Sequence, residues 1–429
     1  MKKRVLIFQI ILIIITSFLG GYYFGVNKVN LDWKNYKPVL NVISKEPPPG
    51  LVTVDFNPFW VVYQKLLTNY YDKSKLDQQK MLNGAISGMV QSIGDPFTLY
   101  LPPVQNDNFK QGLAGQFSGI GAELGTKDKD IIVISPLDGS PAEKKGIKAG
   151  DIILAVDSVS TSGWTLSQAV EKIRGTKGTD VTLTIKHKDQ DKAVDIKITR
   201  DVITVKSVEM VIRDASCANG KCTVVARGDE CRGKSCLKYA YIRLSQFGDN
   251  TNVEWVSMAK GISDKLSQDK SIKGIIFDLR NNPGGYLSDA TFIASEFLKK
   301  GSVVVSEESN SQIQQGSMKV TRDGLLLEPK VVILINKGSA SASEIVAGAL
   351  RDHKRAVLVG ETSFGKGTIQ TAEDLGGGAG IHVTIAKWLT PNGVWVNGEG
   401  LTPDIEVKLD EKDPSRDTQL EKAILGLLK

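Results

Sequence analysis

The sequence predicts an α/β core carrying an inserted mostly-β domain, preceded by a helical segment and one N-terminal transmembrane helix. Three observations predict it. From about Tyr239 onward, strand-like and helix-like segments alternate, the pattern of helices layered on one main sheet. Between Leu113 and Arg200 the period shortens to that of strands. The run Val5–Phe24 contains no charged residue at all.

That uncharged run is mostly Ile, Leu, Val and Phe, and about 20 such residues span a bilayer core as a helix. Lys2, Lys3 and Arg4 precede it, which favours a cytoplasmic stub over residues 1–4 and export of everything after residue 24. A cleaved signal peptide is the alternative. Against it, the run is long and no A-x-A-like site follows, only Ser17, Gly20 and Gly21. The body of the protein is therefore expected outside the cytoplasm, periplasmic or extracellular. Residues 25–57, with Pro47-Pro48-Pro49-Gly50, read as a tether.

Residues 58–112 read as helical. Phe59, Val62, Tyr63, Leu66, Leu67 and Tyr70 keep the three-four spacing of one buried face. A second run, Met81–Ile93, ends at the turn signal Gly94-Asp95-Pro96. Residues 113–200 form the mostly-β domain, with strands at Ile131–Ile134, Asp151–Val156 and the alternating Val181–Ile185, and one helix at Leu166–Ile173. Residues 201–408 form the core, with strands at Gly274–Leu279, Val331–Ile335, Ala356–Val359 and Ile381–Trp388 and helices at Leu287–Leu298 and Ser341–Leu350. Residues 409–429 end in a helix, Thr418–Leu428, which is available for homodimerisation.

Composition agrees with this size and class. Of 429 residues, 41% are apolar and 24% charged, a globular rather than disordered balance with room for two or three domains. The net charge of +6 is small and its basic residues are scattered. No nucleic-acid partner is expected.

Two segments carry chemistry. Gly338-Ser339-Ala340-Ser341-Ala342-Ser343-Glu344 joins a strand to a helix. The first N–H groups of that helix lack intrahelical partners and carry the positive end of its dipole. A serine placed there has donors at hand for a developing oxyanion. Alone, the segment reads equally as a capped helix start, with Glu344 completing a capping box. Downstream stands Gly365-Lys366-Gly367. A serine nucleophile needs a base, and a lysine serves if burial keeps its amine neutral. The flanking glycines permit the close packing that would bury it.

A phosphate-binding loop competes for the second segment, since Gly360-x4-Gly365-Lys366 follows a strand and Ile275–Asp278 resembles a Walker-B strand. The residue after Lys366 is Gly367, not a magnesium-holding Ser or Thr. The residues after it, Thr368–Thr371, alternate like a strand instead of opening a helix. Nucleotide is also scarce outside the cytoplasm. The nucleotide reading is set aside.

Asp278-Leu279-Arg280-Asn281-Asn282-Pro283-Gly284-Gly285 ends a strand in a tight turn whose glycine N–H groups can face a carbonyl. Together, Asp278–Gly285, Gly338–Glu344 and Phe364–Gln370 resemble the signatures of the C-terminal processing peptidases, the tail-specific proteases. With weaker similarity at Gly94–Thr98 and Gly400–Asp404, the resemblance covers roughly residues 58–408. It implies a serine endopeptidase with Ser341 as nucleophile and Lys366 as general base. It further implies Gln370 orienting the lysine, Asp352 at an acidic position some members need, and an oxyanion hole from the N–H groups of Gly284 and Ala342. No cofactor is implied. A catalytically silent scaffold is the alternative of a different class.

The mostly-β domain resembles a PDZ domain. Gly119-Ile120-Gly121-Ala122 would be its carboxylate-binding loop, supported by Gly139–Ala142, Gly146–Asp151 and Gly175–Gly178 at PDZ-like spacing. The resemblance implies that protein substrates with apolar C-termini bind there, and that Arg174 links their capture to activation. Three histidines, His187, His353 and His382, are the rival bases, and each reads as a surface or strand-face residue. The four cysteines, Cys217, Cys222, Cys231 and Cys236, depart from the family pattern and lie in an insertion over 214–237. Outside the cytoplasm, two local disulfides with three possible pairings or a tetrahedral zinc site both fit.

Overall fold

The computed structural model describes residues 12–19, 22, 29–34, 37–42, 54–127, 130–137, 139–188, 190, 192–225, 231, 233, 235–309, 316–410, 413 and 416–428. The chain divides into two compact units, residues 1–82 and 83–429. In the first, residues 12–19 are helical. Among the described residues no helix is long and apolar enough to cross a membrane. The stub at 1–4 and most of Val5–Phe24 lie outside the described residues, as do residues 43–53 of the expected tether. Part of that tether is ordered: β1 (Val29–Lys34) pairs antiparallel with β2 (Lys37–Val42).

Helix α1 (Asn57–Asn69) begins with a proline in its first turn, where the missing N–H costs nothing. Its apolar face is not buried, contrary to the expectation from its spacing. None of its residues is buried, and Phe59, Trp60 and Tyr63 pack edge-on against one another instead. Spacing decides which residues share a face; it does not supply a surface to cover them.

The second unit opens with the later part of α2 (Gln78–Gln91), then β3 (Leu99–Leu101) and α3 (Pro103–Leu113). A two-stranded ribbon of β4 (Gln116–Gly119) and β11 (Asp201–Thr204) closes the neck of the mostly-β domain. Inside that neck lie β5 (Ala122–Lys127), β6 (Asp130–Pro136), β7 (Ile152–Val156), β8 (Val159–Ser160), β9 (Asp180–Lys186) and β10 (Val194–Thr199). They form one antiparallel sheet in the order β10-β9-β7-β6-β5, with β8 on β7. Period-two burial along β9 (Val181, Leu183 and Ile185 inward) builds a core with Ala169 and Ile173 of α5 (Leu166–Ile173). A short helix, α4 (Pro141–Lys144), also belongs here.

The core sheet runs β13-β12-β14-β15-β18-β19-β22. Its antiparallel edge is β12 (Val208–Ala218), β13 (Lys221–Val224) and β14 (Cys236–Leu244). From β14 the strands run parallel through β15 (Ile272–Asp278), β18 (Val331–Ile335), β19 (Ala356–Gly360) and β22 (Ile405–Glu406). One face is covered by α6 (Thr251–Gln268), α7 (Leu287–Ala294) and α8 (Ala342–Asp352). The other face is covered by α9 (Thr418–Leu428), whose Leu420, Ala423, Ile424 and Leu427 are buried against Tyr239, Val332 and Leu334. The expectation that this helix is free for dimerisation is thereby corrected: its apolar stripe is used on its own sheet. A second sheet, β17-β16-β21-β20, comprises β16 (Val303–Glu308), β17 (Gly316–Lys319), β20 (Thr368–Gly376) and β21 (Ala379–Leu389), with β3 paired to β21.

The cysteines form two disulfides, Cys217–Cys222 and Cys231–Cys236, and none is free. The first bridges the β12–β13 hairpin, which turns on Asn219-Gly220 with φ of 51° and 74°, the pair favoured where both turn residues need positive φ. Among the described residues no His, Cys, Asp and Glu group could hold a metal, so the zinc alternative falls. Arg227, Arg232 and Lys234 of the insertion lie outside the described residues.

Candidate active site

Ser341 sits between β18 and α8 with φ 55° and ψ −116°, a backbone state that a serine holds only when its surroundings force it. The forcing contacts are visible. A Cβ on Gly284 would lie 2.8 Å from Ser341 Cβ, and one on Gly338 would lie 2.8 Å from Asn281 Cα. The turn after β15 and the elbow before α8 therefore interlock, and both glycines are required by close approach. Hydrogen bonds tie them further: Ser343 Oγ and Ala340 N–H both donate to Asn282 O, and Ser339 Oγ donates to Leu279 O.

Glu344, one turn into α8, is wholly buried. Its carboxylate accepts from Ser341 N–H (2.8 Å), Ser363 Oγ (2.6 Å), Gly365 N–H (2.7 Å) and Lys366 N–H (3.0 Å). One side chain thus holds the serine elbow and the lysine loop together. The sequence presents Glu344 as half of a capping box; its bonds to a loop 19–22 residues away cannot be read from local spacing.

The lysine loop packs as tightly as its glycines suggest. A Cβ at Gly365 would lie 2.8 Å from Gly400 N, and one at Gly367 would lie 2.6 Å from Trp395 Nε1. Trp388 Nε1 donates to Lys366 O. Burial holds the Lys366 ammonium below the ordinary lysine value, against the opposing pull of Asp95 and Glu344. The Nζ atom lies 5.2 Å from the centre of the Phe97 ring, a cation–π distance.

The remaining predicted residues divide. Ala342 is buried at the first turn of α8, where its N–H can face a bound carbonyl. Gly284 lies beside Ser341, but its N–H donates to Asn282 Oδ1 at 2.9 Å. An asparagine side chain readily bonds the backbone two residues on, and here it occupies the expected oxyanion donor. Gln370 is not bonded to Lys366: its Nε2 donates to Thr368 Oγ1 and Thr384 Oγ1. Asp352 stands at the far end of α8, roughly 15 Å along the axis from its start. It accepts from Arg351 and from Asn392 N–H, so the structure does not bring it to the serine.

Among the histidines, His187 pairs with Asp151, and His353 Nε2 donates to Val303 O, both away from the elbow. His382 lies on β21 against Phe109, with ring centres 4.4 Å apart. Burial lowers its pKa, and the Lys366 charge adds to that. It is therefore a neutral neighbour of the lysine, closer to the site than its strand position suggests.

Behind the elbow, Asp278 is fully buried and accepts from Tyr241 Oη (2.6 Å) and Arg280. Arg280 reaches on to both oxygens of Asp417, just ahead of α9, at 2.8 Å each. Burial alone would lower the Arg280 value, but the two carboxylates raise it. This chain of charges pins the base of the oxyanion turn to the C-terminal helix.

In the mostly-β domain, Gly119, Ile120, Gly121 and Ala122 line a cavity of about 250 Å³ with Leu124, Leu137, Val170, Ile173 and Arg174. Gly121 has φ 74°, and a Cβ there would lie 2.5 Å from Ser140 Cβ. The Arg174 guanidinium stacks on Phe117, 4.9 Å from its ring centre. Ile203 and Val205 of the neck also line the cavity.

A profile of Peptidase family S41 matches residues 238–407, a PDZ domain profile residues 109–186, and one described as the activating protease CtpB N-terminal domain residues 19–103. The chain is 38% identical over 364 residues to the carboxy-terminal-processing protease of Bartonella bacilliformis, covering 84% of this chain and 77% of that one. It is 35% identical to the carboxy-terminal processing protease CtpA of Bacillus subtilis, over 81% of this chain and 68% of that one. Its fold is similar to that of a putative S41 protease from Bacteroides fragilis, with TM-score 0.54, 15% identity, and coverage of 86% and 96%. A strained serine at a helix start, a half-buried lysine on a glycine-flanked loop and a PDZ groove thus coincide with these matches, and the chain belongs to the carboxy-terminal-processing proteases of peptidase family S41, serine-type endopeptidases that carry a PDZ domain.

Proposed function

We propose that the protein is a membrane-anchored, extracytoplasmic endopeptidase that captures apolar C-termini in its PDZ groove and cleaves with a Ser341–Lys366 dyad. The observation that carries the dyad is Glu344, whose carboxylate holds the backbone of both residues while burial keeps the lysine amine on the neutral side of its ordinary value. Neutral Lys366 takes the Ser341 hydroxyl proton as Oγ attacks the scissile carbonyl. The carbonyl oxygen becomes the oxyanion, facing Ala342 N–H. Gly284 N–H joins it once it leaves Asn282 Oδ1. The Lys366 ammonium then returns its proton to the leaving amine as the C–N bond breaks. The resulting acyl-enzyme is hydrolysed by a water that Lys366 deprotonates.

The anchor reading rests on the uncharged run Val5–Phe24 and the basic residues ahead of it. Two disulfides in the core suit an oxidising compartment.

Replacing Ser341 or Lys366 with Ala is expected to reduce hydrolysis of an apolar-tailed peptide by roughly a thousandfold or more, and the double variant to cost little beyond either. Lys366→Arg is expected to be equally inactive, since guanidinium stays protonated. Activity should rise with pH as Lys366 deprotonates, on a limb below the ordinary lysine value. A Lys366→Ala enzyme with near-normal turnover would sink the dyad. A soluble mature form beginning near residue 21 would sink the anchor.

A further inference from the structure

The turn Gly94–Thr98 lies far from Ser341 and Lys366 in sequence, yet β3 places it beside the lysine. Leu99, Tyr100 and Leu101 pair with His382, Ile381 and Gly380 of β21, and β21 pairs with β20, the strand that follows Lys366. At the head of the turn, Asp95 accepts from Phe97 N–H (3.0 Å) and Thr98 Oγ1 (2.6 Å). Thr98 is almost fully buried, and its hydroxyl accepts Thr384 N–H at 3.1 Å. Thr384 also accepts from Gln370. One polar chain therefore runs Gln370–Thr384–Thr98–Asp95, with the Phe97 ring against Lys366 Nζ.

We propose that Asp95 and Phe97 are the positioning partners of Lys366: the carboxylate steadies the ammonium formed when the lysine takes the serine proton, and the ring covers it. The inference rests on the dyad reading above. The role corresponds to that of the acid behind a catalytic imidazole, which orients the base and stabilises its protonated form without itself taking the proton. Gln370 then acts on the lysine indirectly, by fixing Thr384, whose N–H holds the Thr98 hydroxyl that fixes the acid.

The charged and titratable groups that face Lys366 are Asp95, Glu344 and His382. Glu344 is committed to four donors, three of them backbone N–H groups, and His382 is neutral. Burial pushes the Asp95 carboxyl up, but its hydrogen bonds and the lysine charge outweigh this and hold it below the ordinary aspartate value. It is therefore an anion wherever the enzyme works, and it opposes the burial that lowers the lysine.

The test is the pH profile of kcat/KM for Asp95→Asn in the full-length protein. Asparagine removes the charge and keeps one acceptor oxygen for the turn, its amide nitrogen facing the Thr98 hydroxyl, which can accept from it. With the ammonium less stabilised, the rising limb should move to lower pH by about one unit. Above that limb the rate should fall roughly tenfold, because the same interaction is lost from the transition state. Asp95→Glu should return the limb toward its original place. A merely structural aspartate would lower the plateau and leave the limb where it was, and that result overturns the proposal. If Asp95→Asn fails to fold by circular dichroism, Asp95→Ser, which also removes the charge and keeps an acceptor at the turn, should move the limb the same way, and an unmoved limb there also overturns it. Lys366→Ala, assayed in parallel, separates the two failures: if it is inactive while the Asp95 limb stays put, this proposal fails alone; if it is active, the dyad fails.

Discussion

The PDZ groove and the protease site solve the problem of holding a peptide in different ways. The groove is built from consecutive residues, Gly119–Ala122, facing Val170 and Ile173 of α5 over a small core. Its lining side chains are mostly aliphatic. The proposed protease site is assembled from Asp95, Gly284, Ser341, Lys366 and Gln370, beside buried polar groups that each serve several partners at once. Glu344 alone joins two loops, and Asp278–Arg280–Asp417 joins a turn to a helix at the end of the chain. A groove made of backbone tolerates side-chain change wherever no glycine is required, as one is at Gly121. A site made of shared carboxylates does not, because an unpaired buried acceptor costs its full desolvation.

Glu344 is where the two regions should part most sharply. Glu344→Gln keeps the volume but replaces one acceptor oxygen with a donor facing N–H groups. Hydrolysis of a peptide substrate should fall about a hundredfold, the scale of a misplaced catalytic group, while binding of the same peptide to the PDZ groove stays unchanged. Equal loss of both would mean that the two regions are not independent. Gly121→Val reverses the experiment. With φ 74° and Ser140 in the way, the loop cannot accept a branched side chain. Peptide binding should weaken about tenfold or more, whereas phosphonylation of Ser341 by a small phosphonofluoridate, with loss of fluoride, should be unaltered.

Smaller effects are expected within the core. Asp417→Asn removes one carboxylate from Arg280. Because Asp417 is one-third exposed, the loss of stability in urea unfolding should be about 2 kcal/mol, below the figure for a fully buried pair. Burial would raise the Asp417 pKa, but Arg280 more than offsets it and the value is lowered. Its stabilising contribution is therefore present above the unfolded value of about 3.9 and is lost as pH falls through the folded one. Wild type and variant should converge in stability once the pH falls below the folded Asp417 value, itself lowered from the ordinary aspartate range. Replacing both Cys217 and Cys222 with Ala should cost about 2 kcal/mol, and the rate of hydrolysis should hold, since the hairpin lies at the sheet edge away from the elbow.

Much of the fold is legible along the chain. The expected strands of the β domain, such as the period-two run Val181–Ile185, all form. Ser341 and Lys366 stand in recognisable segments, and the glycines beside Lys366 are as crowded as their placement suggests. Other readings fail for definite reasons. The α1 face has the spacing of burial without a covering surface. The α9 stripe has the spacing of an interface but packs on its own sheet. Asp352 and Gln370 match a motif, yet one is a helix length away and the other bonds a threonine.

What the sequence by itself determined is local: element type, the loop that presents backbone N–H groups, the family and the two segments that carry the chemistry. Periodicity, turn residues and contiguous motifs depend on neighbours a few positions apart, so they are written in order along the chain. Only the tertiary structure decided which acid faces the lysine, which carboxylate ties serine to base, and that Asn282 occupies the Gly284 N–H. Those are properties of buried polar groups, whose partners are chosen by proximity in space, and strand pairing such as β3 on β21 brings together residues that no spacing rule connects.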